Sequence, residues 1–213
     1  MKTEISLKDT IYNAILKDIS SMEYSPGQIL NEKQLIEKYN CSKSPVREAL
    51  LSLCADNVLR NIPRYGYEVI RLTKDDIYEM IQFRLILESG ILRANYKKLT
   101  SVQIAKLAEI DVKCQLDDVG FFSHWDYNTE FHVKLIGFCG SSFAMEELSR
   151  CMGRLKRAYV QFYWEKNDIN LLSADCRHHS DILNSLNMKD IDGAISHLIE
   201  DLSDFGGLEN YFL

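Results

Sequence analysis

Two histidines and an aspartate in the second half of this 213-residue chain have the types and spacing for metal chemistry. His132 has Trp125, Asn128, Leu135, Ile136 and Cys139 at −7, −4, +3, +4 and +7, so on a helix its imidazole points inward with Asn128 one turn behind. His179 precedes Ile182, Leu183 and Leu186 at +3, +4 and +7 and also points inward. Asp201 has Ala194, Leu198 and Phe205 at −7, −3 and +4, with His197 one turn before it. Three helices thus each send a metal-competent side chain toward one apolar interior. Imidazole nitrogen with carboxylate oxygen is a normal ligand set for a divalent first-row ion, and a buried carboxylate is costly unless paired or metal-bound. The alternative left open is structural: inward histidines hydrogen-bonded in a core, and Asp201 paired with protonated His197 or with an arginine.

A different chemistry is suggested by "CSKSPVREALLSL", Cys41 to Leu53. Ser44 is placed to cap a helix and Pro45 to open it, where a missing N–H costs nothing. Val46, Ala49, Leu50 and Leu53 follow at i, i+3, i+4 and i+7 and form one buried face. Lys43, Ser44 and Arg47 lie off that face, beside the backbone N–H groups that attract phosphate.

These residues need elements to hold them. Apolar Ile11, Ala14, Ile15 and Ile19 predict a first helix over Lys8 to Ile19, ended by the turn at Ser25 to Gly27. "NEKQLIEKY" predicts a second, capped by Asn31. The capped helix at Ser44 is the third. Two short strands follow, around Val58 to Ile62 and Tyr67 to Leu72, joined by a turn at Pro63 to Gly66 that carries Arg64 and Tyr65. Three helices and a hairpin make a winged helix-turn-helix, with the third helix suited to the major groove and the hairpin tip to the backbone or minor groove. A small helical domain with surface arginines, or a winged helix that binds a protein instead of DNA, is the competing reading. Beyond Leu72 only helical periodicity appears, near 74–98, 101–117, 123–138, 142–167, 172–187 and 190–205, with capping-box spacing at Thr73/Asp76 and Thr100/Gln103. The expected fold class is therefore mainly α: residues 1–72 as a winged helix-turn-helix with a small β-hairpin wing, and 73–213 as an all-α bundle.

Composition agrees with a folded, helix-rich chain: 46% hydrophobic, 26% charged, three prolines and ten glycines. The net charge of −6 is unevenly spread, since residues 1–73 carry ten Lys/Arg against nine Asp/Glu and the rest carry 15 against 22. That difference supports two domains with different partners. Six cysteines without a C-x-x-C pair read as reduced, mostly buried thiols rather than a zinc or disulfide framework. With no apolar run near the ~18 residues of a membrane span and no apolar signal core at the N-terminus, the expectation is a cytoplasmic protein without a membrane partner. The motif "HHSD" at His178 to Asp181 evokes HD-type hydrolases, but that chemistry wants an adjacent His-Asp pair and Ser180 intervenes. No catalytic residues are expected.

The stretch "SPGQILNEKQLIEKYNCSKSPVREALLSLCADNVLRNIPRYGYEVI" resembles the DNA-binding domain of the GntR family of bacterial transcription regulators, whose pattern is PG-x-x-L, then S-R-x-P-V-R-E-A-L, then a p-x-x-G wing. The resemblance covers residues 10 to 72 and implies that Lys33, Ser42, Lys43, Ser44, Arg47, Arg64 and Gly66 face DNA, with Arg47 the first choice for a base edge. Lys43 stands where the family has Arg; it keeps the charge and loses the bidentate geometry toward guanine.

The second half is similar to the FCD effector-binding domain of the FadR subfamily over about residues 74 to 205, through "FRLILESGILRAN", "NTEFHVKLIG", "HHSDILNSL" and "KDIDGAISHLIEDL". Metal-binding members use an Asp and three His. Here His132 and His179 match, Asn128 stands at the Asp and Asp201 at the last His. The resemblance implies a divalent ion, Zn or else Ni, Mn or Fe, held by Asn128, His132, His179 and Asp201, with His197 as the alternative to Asp201. It further implies a small organic acid effector met by Arg84, and a homodimer on a two-fold double-stranded DNA operator. Arg84 with Glu88 at i+4 is equally spaced for a plain helix ion pair. Some members of the subfamily use no metal and sense another effector.

Overall fold

The computed structural model describes residues 6–116, 121–163 and 176–203. Of the expected helical segments, residue 117 and the stretches 164–167 and 172–175 lie outside them, as do the positions beyond 203, including Phe205 and the tail "GGLENYFL". Two compact units emerge among the described residues: 6–73 with 157–163, and 74–156 with 176–203.

In the first unit, α1 (Leu7–Ser20), α2 (Glu32–Tyr39) and α3 (Lys43–Ala55) pack around Ile11, Ile15, Ile19, Leu35, Val46, Ala49, Leu50 and Leu53. The starts of α1 and α2 are each set by a short polar side chain that satisfies an orphan N–H: Ser6 accepts from Asp9 N and Asn31 from Lys33 N. The left-handed Asn40 (φ 47°) ends α2 and starts the turn into α3. The cap of α3 is Ser42, two residues earlier than the expected Ser44. Ser44 sits inside the first turn, where its hydroxyl donates to Glu48 Oε1 at 2.8 Å, and Pro45 still falls among positions whose N–H has no helical partner.

The wing is a three-stranded antiparallel sheet in the order β1-β3-β2, from β1 (Ile29–Leu30), β2 (Leu59–Ile62) and β3 (Gly66–Val69). Ile62 pairs with Gly66 and Leu59 with Val69. The hairpin is the expected one, with β3 ending at Val69 rather than Leu72. The extra strand β1 pairs Ile29 with Glu68 and Leu30 with Tyr67. Gly66 is required here on structural grounds: its φ is 136°, and a Cβ would run into the Leu30 carbonyl.

The second unit is helical: α4 (Lys74–Asn95) with a 3-10 turn at Tyr96–Lys98, α5 (Ser101–Cys114), α6 (Phe121–Phe138), α7 (Ser142–Tyr163), α8 (His179–Asn187) and α9 (Ile191–Ser203). Thr100 and Gln103 form the expected capping box at α5. The core joins Leu92, Leu107, Phe131, Leu135, Ile182, Leu198 and their neighbours. The last turns of α7 belong to the first unit: Gln161 donates to the Leu72 carbonyl at 2.6 Å and accepts from its N–H at 3.0 Å, and Arg157 donates to Asn57 O at 3.0 Å. No described helix is long and apolar enough to cross a membrane.

Candidate functional site

The inward face of the helical unit carries a concentration of charge. Arg84 and Glu88 from α4, Asn128 and His132 from α6, His179 from α8 and Asp201 from α9 are all buried, His132, His179 and Glu88 completely. Helical spacing explains their company: Glu88 lies one turn after Arg84, His132 one turn after Asn128, and Asp201 one turn after the core residue Leu198.

The imidazoles are oriented from behind. His132 Nδ1 is 2.7 Å from Glu88 Oε2, which turns its Nε2 toward Asp201 Oδ2 at 3.1 Å. His179 Nδ1 faces Asp111 Oδ1 on α5 at 3.4 Å, an ion-pair distance without hydrogen-bond geometry. Its Nε2 lies 3.4 Å from His132 Nε2 and 3.8 Å from Asp201 Oδ1. Phe131 stacks on the His179 ring, 3.8 Å between centroids and 10° between planes, fixing its tilt. Asp111 is itself held by the Ser180 hydroxyl at 2.7 Å and by Gln115.

Electrostatics matches this geometry. Burial alone would raise the Glu88 carboxyl, yet the charges of Arg84 and His132 beside it hold it down to about 2. Burial pulls His132 down, but Glu88 and Asp201 on its two nitrogens leave it raised overall. Burial likewise opposes ionisation of Asp111, and contacts with His179, Ser180 and Gln115 hold its carboxyl below the usual range. Buried atoms of this group without a hydrogen-bond partner include Asp201 Oδ1, Arg84 Nη2 and His179 Nδ1. The Nε of that arginine donates to Glu88 Oε1 at 2.8 Å, so the i,i+4 pair exists and leaves part of the guanidinium over.

Donor atoms of His132, His179 and Asp201 therefore converge within 4.8 Å of one another. Asn128 is buried one turn from His132. His197 goes elsewhere: it is half-exposed on α9, with Nδ1 3.0 Å from Glu200 Oε2, and groups with His178 and Asp181. Glu88 and Asp111 were missing from the sequence-based set. Their signal was present, since each interrupts an apolar face, Asp111 between Leu107 and Cys114 and Glu88 between Ile81 and Leu92.

In the first unit the residues expected to face DNA are exposed: Lys33, Ser42, Lys43, Ser44, Arg47 and Arg64 all lie at the surface, with Gly66 half-buried. Ser42 makes no side-chain cap bond, so its hydroxyl remains available. Three elements meet at Glu32 on the first turn of α2. Its Oε1 accepts from Tyr67 OH of β3 at 3.2 Å and lies 4.0 Å from Arg47 Nε of α3. Arg47 is 61% exposed and this long contact barely restrains it. At the wing tip Arg64 has a φ of 72°, and Tyr65 is 72% exposed.

Comparison with known proteins agrees with both halves. Residues 7–69 match the model of "Bacterial regulatory proteins, gntR family" and residues 79–204 match that of the "FCD domain". The HTH-type transcriptional repressor RspR of Escherichia coli (strain K12) is 25% identical over 206 residues, 91% of this chain and 86% of RspR. The uncharacterized HTH-type transcriptional regulator BphR of Paraburkholderia xenovorans (strain LB400) is 28% identical over 152 residues, 68% of this chain; the match spans 62% of that relative's length. The solved structure of E. coli McbR/YncC superposes with a TM-score of 0.78 at 24% identity, covering 97% of this chain and 99% of the other, a likeness of fold. With a winged helix of the first type and a helical unit of the second, the chain belongs to the GntR family of bacterial regulatory proteins that carry an FCD domain.

Proposed function

We propose that this GntR-family transcription regulator is ligand-responsive, a cytoplasmic homodimer whose residues 1–72 grip a double-stranded DNA operator and whose residues 73–213 hold the signal. The reading is of a regulator and not an enzyme. On DNA, Arg47 reads a base edge, Lys33, Ser42, Lys43 and Ser44 meet phosphates at the head of α3, and the wing at Arg64 and Gly66 follows the backbone or minor groove. Two half-sites lie about one helical turn apart, or a multiple of it. Arg47→Ala is expected to abolish specific binding in a mobility-shift assay on the promoter beside the protein's own gene while leaving the fold intact. Wild-type affinity should fall steeply with salt through counterion release; unchanged affinity in the variant would mean α3 is not the reading helix.

In the helical unit, His132, His179 and Asp201, with Asn128 beside them, fit a divalent ion such as zinc, with nickel, manganese or iron as alternatives. The observation that carries this is the pair of Nε2 atoms 3.4 Å apart, one of them 3.1 Å from a carboxylate oxygen. Ligand atoms about 2.0–2.1 Å from a tetrahedral ion lie ~3.3 Å apart. The carboxylates behind both Nδ1 atoms are the usual partners of metal-bound histidines. Such an ion supplies an electrophilic point for an effector carboxylate, and the unpaired Arg84 Nη2 suits the same small organic acid. Binding can shift operator affinity only by the effector's preference between two arrangements of the dimer.

A second reading has its own support. The raised His132 suits an imidazolium bridging Glu88 and Asp201 without any ion, in an FCD domain that senses another effector. Elemental analysis of the untreated protein separates the two. One divalent ion per chain, lost in His132→Ala or His179→Ala, supports the metal centre; no metal and no response to added metal leaves the ion-free pair.

A further inference from the structure

Outside the buried group, the α8·α9 pair presents a second convergence of ligand atoms. His178, the residue before α8, and Asp181 lie one turn apart, and His197 and Glu200 have the same i,i+3 spacing on α9. Glu200 Oε2 sits between the two imidazoles, 3.0 Å from His197 Nδ1 and 3.6 Å from His178 Nδ1, and Asp181 Oδ2 is 3.9 Å from His178 Nδ1. Ligand atoms of His178, Asp181 and His197 all fall within 4.8 Å of one another. The side chains are between 26% and 52% exposed, so ions reach them from solvent without opening the core.

We propose that His178, Asp181, His197 and Glu200 form a second, surface binding site for a divalent transition metal ion of the zinc, nickel or copper class. Two imidazoles with two carboxylates are a mixed N/O set of the kind such ions prefer, whereas magnesium and calcium take oxygen ligands. The i,i+3 spacing puts each pair on one side of its helix, and the two helices bring the pairs together. The site is distinct from the buried one but is its neighbour in sequence: His178 precedes the inward His179, and Glu200 precedes the inward Asp201. It does not rest on the buried centre holding metal.

Equilibrium dialysis of the full chain against zinc, after stripping with a chelator, tests it, with bound ions counted by elemental analysis. The comparison is between the wild type, His178→Asn/His197→Asn and His132→Asn. Both outer histidines are half-exposed, so the double variant should keep its circular dichroism spectrum, and Glu200→Gln serves as an independent second variant. The expected result is one fewer zinc per chain in the double variant and weaker binding in Glu200→Gln, whatever His132→Asn does. If only His132→Asn loses an ion, and the outer variants bind as many as the wild type with the same affinity, the surface site does not exist. If the wild type holds a single ion and only the outer variants lose it, the surface site stands and the buried metal centre falls.

Discussion

The first unit keeps its chemistry outside and its apolar residues inside: Arg47, Lys43 and Arg64 stand in solvent around a core of Ile15, Val46, Leu50 and Leu53. The helical unit is built the other way, with Arg84, Glu88, His132, His179 and Asp201 enclosed. Substituting the exposed group should leave folding alone and, on the proposed function, cost contacts with DNA. In the enclosed group the buried charges compensate one another, so a single substitution there should cost stability as well as any ligand contact.

That contrast can be broken, and the largest test is on the enclosed side. Glu88→Ala strips the charge that compensates buried Arg84 and His132. It should destabilise the chain by about 3–5 kcal/mol, read by denaturant unfolding. A loss under about 1 kcal/mol would show that water already solvates the group. Leu50→Ala, in the fully buried face of α3, should cost about 2–5 kcal/mol through cavity formation and lower operator binding only in proportion to unfolding.

On the exposed side, Arg47→Ala should abolish specific operator binding, a loss beyond the about 1–3 kcal/mol of a single base contact, with an unchanged melting temperature. A drop in melting temperature would mean that the contact to Glu32 is structural. Lys33→Ala should weaken binding to every sequence alike and reduce the salt slope by about one. The smallest effect expected is a pH effect. Burial and the Tyr12 hydrogen bond to Asp56 (2.8 Å) raise the phenol to about 12 from its ordinary 10. A raised pKa favours the protonated form in the folded state, so this contribution is complete below about pH 10 and disappears as pH rises through about 12. Tyr12→Phe should flatten that part of the alkaline unfolding curve.

Legibility in the sequence followed the same divide. Local signals located α1, α2, α3 and the hairpin, because caps, turns and apolar periodicity act over a few residues. The cap of α3 was assigned to Ser44 instead of Ser42, since both serines flank Lys43 and only backbone geometry decides which lies outside the helix. The strand Ile29–Leu30 was invisible: two residues carry no periodicity, and the pairing to β3 spans 37 positions in Leu30↔Tyr67. The last turns of α7 continue a helical pattern, so nothing local marks that Arg157 and Gln161 bond within the first unit. In the bundle, helical phase placed His132, His179 and Asp201 inward. Phase alone did not say that Glu88 and Asp111 would stand behind the imidazoles, because that requires α4 and α5 to be packed against α6 and α8. For His197 the one-turn spacing from Asp201 suggested a shared face, whereas the side chain turns to Glu200.

Whether the enclosed histidines of the helical unit hold a metal ion is tested most directly by the zinc dependence of the melting temperature in a chain whose outer histidines are replaced, His178→Asn and His197→Asn. A ligand that selects the native state stabilises it by about 2.7 kcal/mol at a hundred times its Kd. The melting temperature should therefore rise by several degrees, and adding His179→Asn should abolish the rise. A melting temperature indifferent to zinc in the chain with His132 and His179 intact would contradict the account.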